Sequence, residues 1–290
     1  MRLDFYNASG DVLSLTNNQY FHLIDVDGQT QAQTDISSIV VGGIDGDTVN
    51  NVQAQPRTIT LDLRVKSGVD VEEAKRAILA VVKLKRNGTL KWTQNLREVE
   101  ITGIVESVDM PRWNNSVSMQ IALHCEQPFW EDVENAIQEI SEAIGLHYFT
   151  AYPNDMLYFP VDGIAFGEYD MSRTREFTNT GDVAVGMDIE IMAFGAVTNP
   201  IIYNEAGEFF GIGYGTGSKV VTMASGDKIT ISTHRGSKSV KLNGTSIIQK
   251  VKPQSTWLQL EAGSNTFSIN ANEAATDNMT FTLNFKRRYI

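Results

Sequence analysis

Residues Ser116–Asp132 read SVSMQIALHCEQPFWED. Over the first eleven, Val117, Met119, Ile121, Leu123 and Cys125 fall on one side, with polar groups or Ala122 on the other. Period-two alternation marks a half-buried strand, because successive side chains of an extended chain point to opposite faces of a sheet. The run then stops. Pro128 has no amide hydrogen to give a ladder, and Phe129, Trp130 and an acidic segment of helical period follow it. The stretch reads as a seam between unlike halves: a domain over 1–130, a linker helix over 131–148 and a second domain over 149–290.

Before the seam the chain is mostly β with one helix. Leu3–Tyr6, Val12–Leu15, Tyr20–Asp25 and Arg57–Lys66 alternate as strands and are punctuated by Asn, Gly and Asp turns. Gly42–Pro56 (GGIDGDTVNNVQAQP), with Asp45 and Asp47 in it, is a long polar stretch. Loops of that length in compact domains are usually functional or mobile. Asp70 with Glu73 predicts a helix start, Val71, Ala74, Ile78, Val81 and Val82 give its apolar stripe, and Asn87-Gly88 its stop. Thr89–Thr93 and Glu98–Met110 follow, and a Pro111–Asn115 turn joins the latter to the seam strand as a hairpin.

After the seam, Val133, Ile137, Ile140 and Ile144 recur at helical spacing and predict the linker helix, with Gly145 ending it. From about Phe149 the rhythm is all β. Turn signals fall at Asn179–Asp182, Ala206-Gly207, Ser225–Asp227, Arg235-Gly236, Asn243-Gly244 and Gly263–Asn265, with alternating strands between them. Many short antiparallel strands at such spacing predict a sandwich or barrel, so the fold class is mainly β in two domains.

Composition narrows the function. A length of 290 residues suits about two domains, and 42% hydrophobic with 20% charged content is ordinary for a folded protein. No run approaches a membrane span, and MRLDFYNASGD lacks the apolar region of a signal peptide. The lone Cys125 excludes an internal disulfide and reads as a small buried thiol. A net charge of -11 argues against nucleic acid as the main partner. The charge is unevenly spread: residues 64–97 are net basic between two acidic blocks, 1–63 and 98–170. Either Lys75, Arg76, Lys83, Lys85 and Arg86 are the solvated side of the helix, or the blocks steer copies of the protein together.

A search for chemistry finds little. His22, His124, His147 and His234 have no partner at metal-ligand spacing, and neither a nucleophile elbow nor a phosphate loop occurs. GIGYGTG over 211–217 has the wrong alternation for a dinucleotide loop. Asp25, Asp27 and Gly28 begin like a calcium loop but lack its later ligands, and nothing selects strand acids such as Asp188 and Glu190 for glycoside cleavage. The expectation is no enzyme, no cofactor and no metal. Aromatic residues leave two openings. Trp257 is either a packed strand end or a platform for a sugar ring, and Phe129-Trp130 is a candidate contact surface at the joint.

In chain order come the β-rich first half with its helix, HCEQPFWED (124–132), FTNTGDV (177–183), GDKITISTHRGSKSVKLNG (226–244) and WLQLEAGSNTFSINA (257–271). This succession resembles the distal tail protein family of bacteriophages, siphovirus-type tail components also found in phage-tail-like particles. The resemblance covers nearly the whole chain. It implies a structural adaptor of the virion tail, made in the host bacterial cytoplasm. A first domain similar to tail-tube proteins would build a homohexameric ring, and a galectin-like sandwich would project outward. The implied partners are further copies, the tail tube protein, the tail-associated hub protein and receptor-binding or other baseplate proteins, with neither membrane nor specific nucleic acid. Lys83, Lys85, Arg86, Phe129, Trp130, Asp45 and Asp47 are the interface candidates. The Gly-rich insertion around Gly207–Gly217 is a further surface for a baseplate neighbour. The alternative function is a carbohydrate-binding sandwich that attaches to the bacterial surface through Trp257.

Overall fold

The computed structural model describes residues 2–29, 32–40, 42–43, 45–95, 97–110, 118–138, 143–144, 168–169, 174–272 and 278–290. The Pro111–Asn115 turn, Val117, Ile140, Gly145 and His147 lie outside these residues. The chain divides into two compact units: Met1–Glu134 with Arg288–Ile290, and Asn135–Arg287.

In the first unit the elements run β1 (Arg2–Asn7), β2 (Val12–Ser14), β3 (Phe21–Asp27), β4 (Thr34–Ile39), β5 (Thr48–Ala54), β6 (Arg57–Val65), α1 (Val71–Val81), β7 (Asn87–Gln94), β8 (Arg97–Asp109), β9 (Ser118–Cys125) and β10 (Trp130–Asp132). A nine-stranded antiparallel sheet has seven strands on its main path, in the order β2-β1-β7-β8-β9-β6-β3. Within it β6 and β9 pair in register Ile59↔Leu123, Leu61↔Ile121 and Leu63↔Met119. All six side chains are buried, so a one-residue slip would turn this whole set toward water.

Helix α1 lies over the same core, into which Val71, Ala74, Ile78 and the following Val82 are buried. Asp70 caps it by accepting the Glu72 amide at 3.1 Å, and Glu72 and Glu73 stand in the favourable first turn. Its end differs from the reading of the sequence. The helix stops at the extended, buried Val82, and Asn87-Gly88 instead opens β7. Gly88 is required by packing, since a Cβ there would stand 2.3 Å from the Phe5 ring.

The seam also differs. The strand does stop before Pro128, but the pairing edge it follows continues. β9 covers β8 from Asp109 to Ile104, and β10 then pairs the next part of that edge, with Glu131↔Glu100 and Asp132↔Val99. Residues 126–129 are a detour in one interrupted edge. The helix expected over 131–148 is absent from its described residues: Trp130–Asp132, Ala136–Gln138 and Ala143–Ile144 are strands. Helical spacing here loses to unpaired strand edges that offer the backbone a ladder. On its far side β10 pairs with the C-terminal strand, Arg288–Tyr289.

The second unit runs β11 (Ala136–Gln138), β12 (Ala143–Ile144), β13 (Glu168–Tyr169), β14 (Thr174–Asn179), β15 (Asp188–Ala193), β16 (Val197–Asn204), β17 (Phe209–Gly211), β18 (Thr222–Met223), β19 (Lys228–Ser232), β20 (Ser239–Leu242), β21 (Thr245–Ser246), β22 (Gly263–Asn272) and β23 (Met279–Phe285). One large sheet is ordered β11-β23-β15-β19-β20-β21 and a second β14-β22-β16-β17 with β18 against β16, while β12 and β13 pair with each other. Ile189, Ile191, Ile229, Ile231, Phe281 and Leu283 of the first share a core with Phe177, Ile202, Phe210, Phe267 and Ile269 of the second. The unit is thus an antiparallel sandwich, its two inner faces built by alternation. The Gly-rich insertion is buried in part. Phe210–Gly213 are buried in this unit, and a Cβ on Gly213, at φ +82°, would meet the Asn199 carboxamide at 2.0 Å. Gly207, Gly215 and Gly217 of the same stretch are exposed, with open space where a Cβ would stand.

Candidate assembly surfaces

Lys83, Lys85 and Arg86 stand together on the loop between α1 and β7, all exposed, instead of along the helix as their spacing suggests. The loop is held at both ends. Lys83 Nζ donates to the Leu79 carbonyl at the negative end of α1, the Lys85 amide donates to Val105 O at 3.0 Å, and Arg86 O accepts from Val105 N at 3.0 Å. Lys85 takes φ +60° to make the reversal. Exposed Leu79 and Leu84 lie beside these cations in the chain, so the surface is both basic and apolar.

Strands β4 and β5 replace much of the expected Gly42–Pro56 loop with a hairpin. Its tip carries exposed Asp45 and Asp47. The two strands pair only with each other among the described residues, and every residue of both is exposed. Register sorts the side chains. Thr34↔Ala54, Ile36↔Val52 and Ser38↔Val49 share one face, and Asp35↔Gln53, Ser37↔Asn51 and Ile39↔Thr48 share the other. Ile36 is 59% and Val52 58% exposed. An isolated two-stranded ribbon is marginal in water, and this one has an apolar face with no cover among the described residues of its unit.

The aromatic pair separates. Phe129 is half-buried on a cavity of about 270 Å³ with Glu100, His124, Glu126 and Glu131. Trp130 is 4% exposed and does not form a contact surface. It meets Trp92 edge-to-face at 5.8 Å and donates its Nε1 hydrogen to Gln29 O at 3.3 Å. Glu131 is taken by Arg288 at 2.6 Å. Trp257 packs on Phe210 at 4.8 Å with the Lys238 ammonium 5.2 Å from its ring, which favours the packed-strand reading over an open platform.

The motif residues hold turns. Asn179 Nδ2 donates to Val183 O and Leu260 O, and its Oδ1 accepts from Gly181 N. Asn265 closes the preceding bend by donating to Glu261 O and Gly263 O and accepting from Glu261 N. In the GD and NG pair, Asp227 accepts from the Ala224 amide and the Asn243 carboxamide, both at 2.7 Å. These bonds hold the Asp227 carboxyl below its usual range, the Ala224 amide contributing most. The sequence reading singled out these stretches as a pattern, but their Asn side chains could be assigned work only once the carbonyls they close on were in place.

Chemistry stays sparse. Asp188 faces the His234 imidazole at 3.5 Å and Glu190 pairs with Lys228 at 3.1 Å, so each acid of the strand has a partner. Among the described residues no three His, Cys, Asp or Glu side chains gather as a metal set, and no helix is long and apolar enough to cross a membrane. Burial pushes the Cys125 thiol up to about 11, against the pull of Arg57.

Comparison with known proteins matches residues 180–289 to the siphovirus-type tail component, C-terminal domain. No curated protein sequence matches the chain. Among solved structures, the Dit (gp 19.1) protein of phage SPP1 superposes with a TM-score of 0.66 at 13% identity, over 99% of each chain. A chain of the phage P2 baseplate in its activated conformation with calcium gives 0.47 at 13% identity, over 99% of this chain and 97% of that one. Residues 180–289 thus resemble the C-terminal domain of siphovirus-type tail components, and the chain as a whole shares the fold of SPP1 Dit.

Proposed function

We propose that the protein is the ring-forming adaptor of a phage tail tip. In this reading six copies close a ring through the first unit, joining the tail tube to the baseplate hub. The second unit, which the resemblance makes galectin-like, carries receptor-binding proteins. The observation that carries the reading is the β4–β5 arm, an amphipathic ribbon whose apolar face needs a partner outside its own unit. The sheet adds support. Its two edges differ, β2 at one end and at the other β3 with exposed Asp25 and Asp27, as a head-to-tail contact requires. The basic loop and the acidic blocks then give the encounter its charge complementarity.

Native mass spectrometry with negative-stain imaging tests the ring. Hexamers that dissociate as salt rises are expected, and a species that stays monomeric at high concentration and low salt, alone and mixed with its tail neighbours, sinks the proposal. Deleting residues 34–54 tests the arm: the fold should survive while incorporation into tails is lost. Fully assembled particles from that deletion would remove the arm from the account.

A further inference from the structure

A second cavity of the first unit, about 580 Å³, opens beside the β7–β8 turn. Its walls are aromatic: Trp92 and Trp130 in their edge-to-face pair, and Tyr289. Gln94, Asn95 and Arg97 supply the polar rim. Each wall is fixed before any ligand arrives. The Gln29 carbonyl holds Trp130, the Tyr289 hydroxyl donates to Asp132 at 3.3 Å, and the Arg97 guanidinium carbon lies 3.7 Å from the Tyr289 ring centroid. Asn95, at φ +55°, sets the turn that presents the two carboxamides. The Trp92 indole N–H is buried and has no hydrogen-bond partner among the described residues.

We propose that this cavity binds a neutral saccharide. Its volume falls in the roughly 300–1,000 Å³ range of small-ligand sites, room for one or two sugar rings. The half-buried Trp92 ring, backed by the buried Trp130, suits the C–H face of a pyranose, and the carboxamide edges together with the Arg97 guanidinium stacked on Tyr289 suit its hydroxyls. Among the described residues of the wall Arg97 is the only charged side chain, so the lining lacks the clustered cations a polyphosphate needs. Neither the sandwich nor Trp257 takes part.

The test titrates the full chain with N-acetylglucosamine, chitotriose and maltotriose, following tryptophan emission. Gln94 and Arg97 are exposed, so Gln94→Ala and Arg97→Ala should keep the wild-type circular dichroism. At least one of the three sugars should bind with a Kd of about 1 mM or tighter, each substitution should weaken it by about tenfold, and Trp257→Ala should change nothing. Silence from all three sugars overturns the proposal, as does sugar binding that survives both rim substitutions or disappears with Trp257→Ala. If the wild type binds no sugar and Arg97→Ala alone keeps the protein out of particles, the cavity is a protein contact and the proposal is likewise overturned.

Discussion

β6–β9 and β4–β5 are both antiparallel pairs of the first unit, and they differ in what lies over them. On β6 and β9 Ile59, Leu61, Leu63, Met119, Ile121 and Leu123 are all buried, whereas on β4 and β5 every residue is exposed. Pairing is the same in kind; cover is not. A ladder therefore says little about whether a strand holds the fold or is offered to another molecule, and the density of large apolar residues says more. β6 and β9 place one at nearly every second position, while the arm spaces Ile36, Val49 and Val52 among Ser, Asn and Gln.

The contrast can be broken most forcefully at its buried end. Ile121→Ala should cost about 2–5 kcal/mol in urea unfolding, the usual range for a core aliphatic truncated to Ala. Cys125 on the same strand gives a second readout. Buried and held well above the ordinary thiol range, it should resist a thiol reagent at pH 8 in the wild type, and labelling should quicken about tenfold for each 1.4 kcal/mol lost. Asn265→Ala, which strips three hydrogen bonds from its bend, should cost about 1–3 kcal/mol by the same urea assay. In the arm, Ile36→Ser with Val52→Ser should move stability by about 0.5 kcal/mol at most while reducing incorporation into tails. A large loss of stability would mean the arm is covered within its own chain.

The smallest effect is a pH dependence. The folded Asp227 carboxyl titrates below its unfolded value, so its contribution is present in full above the unfolded value, about 3.9, and is lost as pH falls through the folded one. Thermal melts should therefore separate wild type from Asp227→Asn at pH 7 and bring them together toward pH 3. Curves that stay apart at low pH would show that the turn is held by something other than this carboxylate.

Legibility in the sequence followed the strength of the pattern. The alternation of β6, β8 and β9, the stripe and Asp70 cap of α1, and the turns at Ala206-Gly207, Arg235-Gly236 and Asn243-Gly244 were readable because local chemistry and tertiary burial agree there. Residues 130–144 misled because Val133 and Ile137 recur at helical spacing while the backbone takes up sheet edges from distant parts of the chain. Trp130 looked like a surface beside Pro128, and nothing local reveals the Trp92 edge that buries it. The β4–β5 ribbon hid in a polar stretch, since its cross-strand pairs leave no single strand clearly alternating. Lys83, Lys85 and Arg86 were found by charge alone, but their place on a loop depended on where Val82 ends the helix.

The pairing of β10 with Arg288–Tyr289 has a topological consequence. The chain leaves the first unit after Glu134 and re-enters it at Arg288, so the two crossing strands run side by side, in register Trp130↔Tyr289 and Glu131↔Arg288 and riveted by an ion pair. The sandwich is thus a cassette spliced into its host on a zipped stem. A force pulling on it would load both strands of that stem at once.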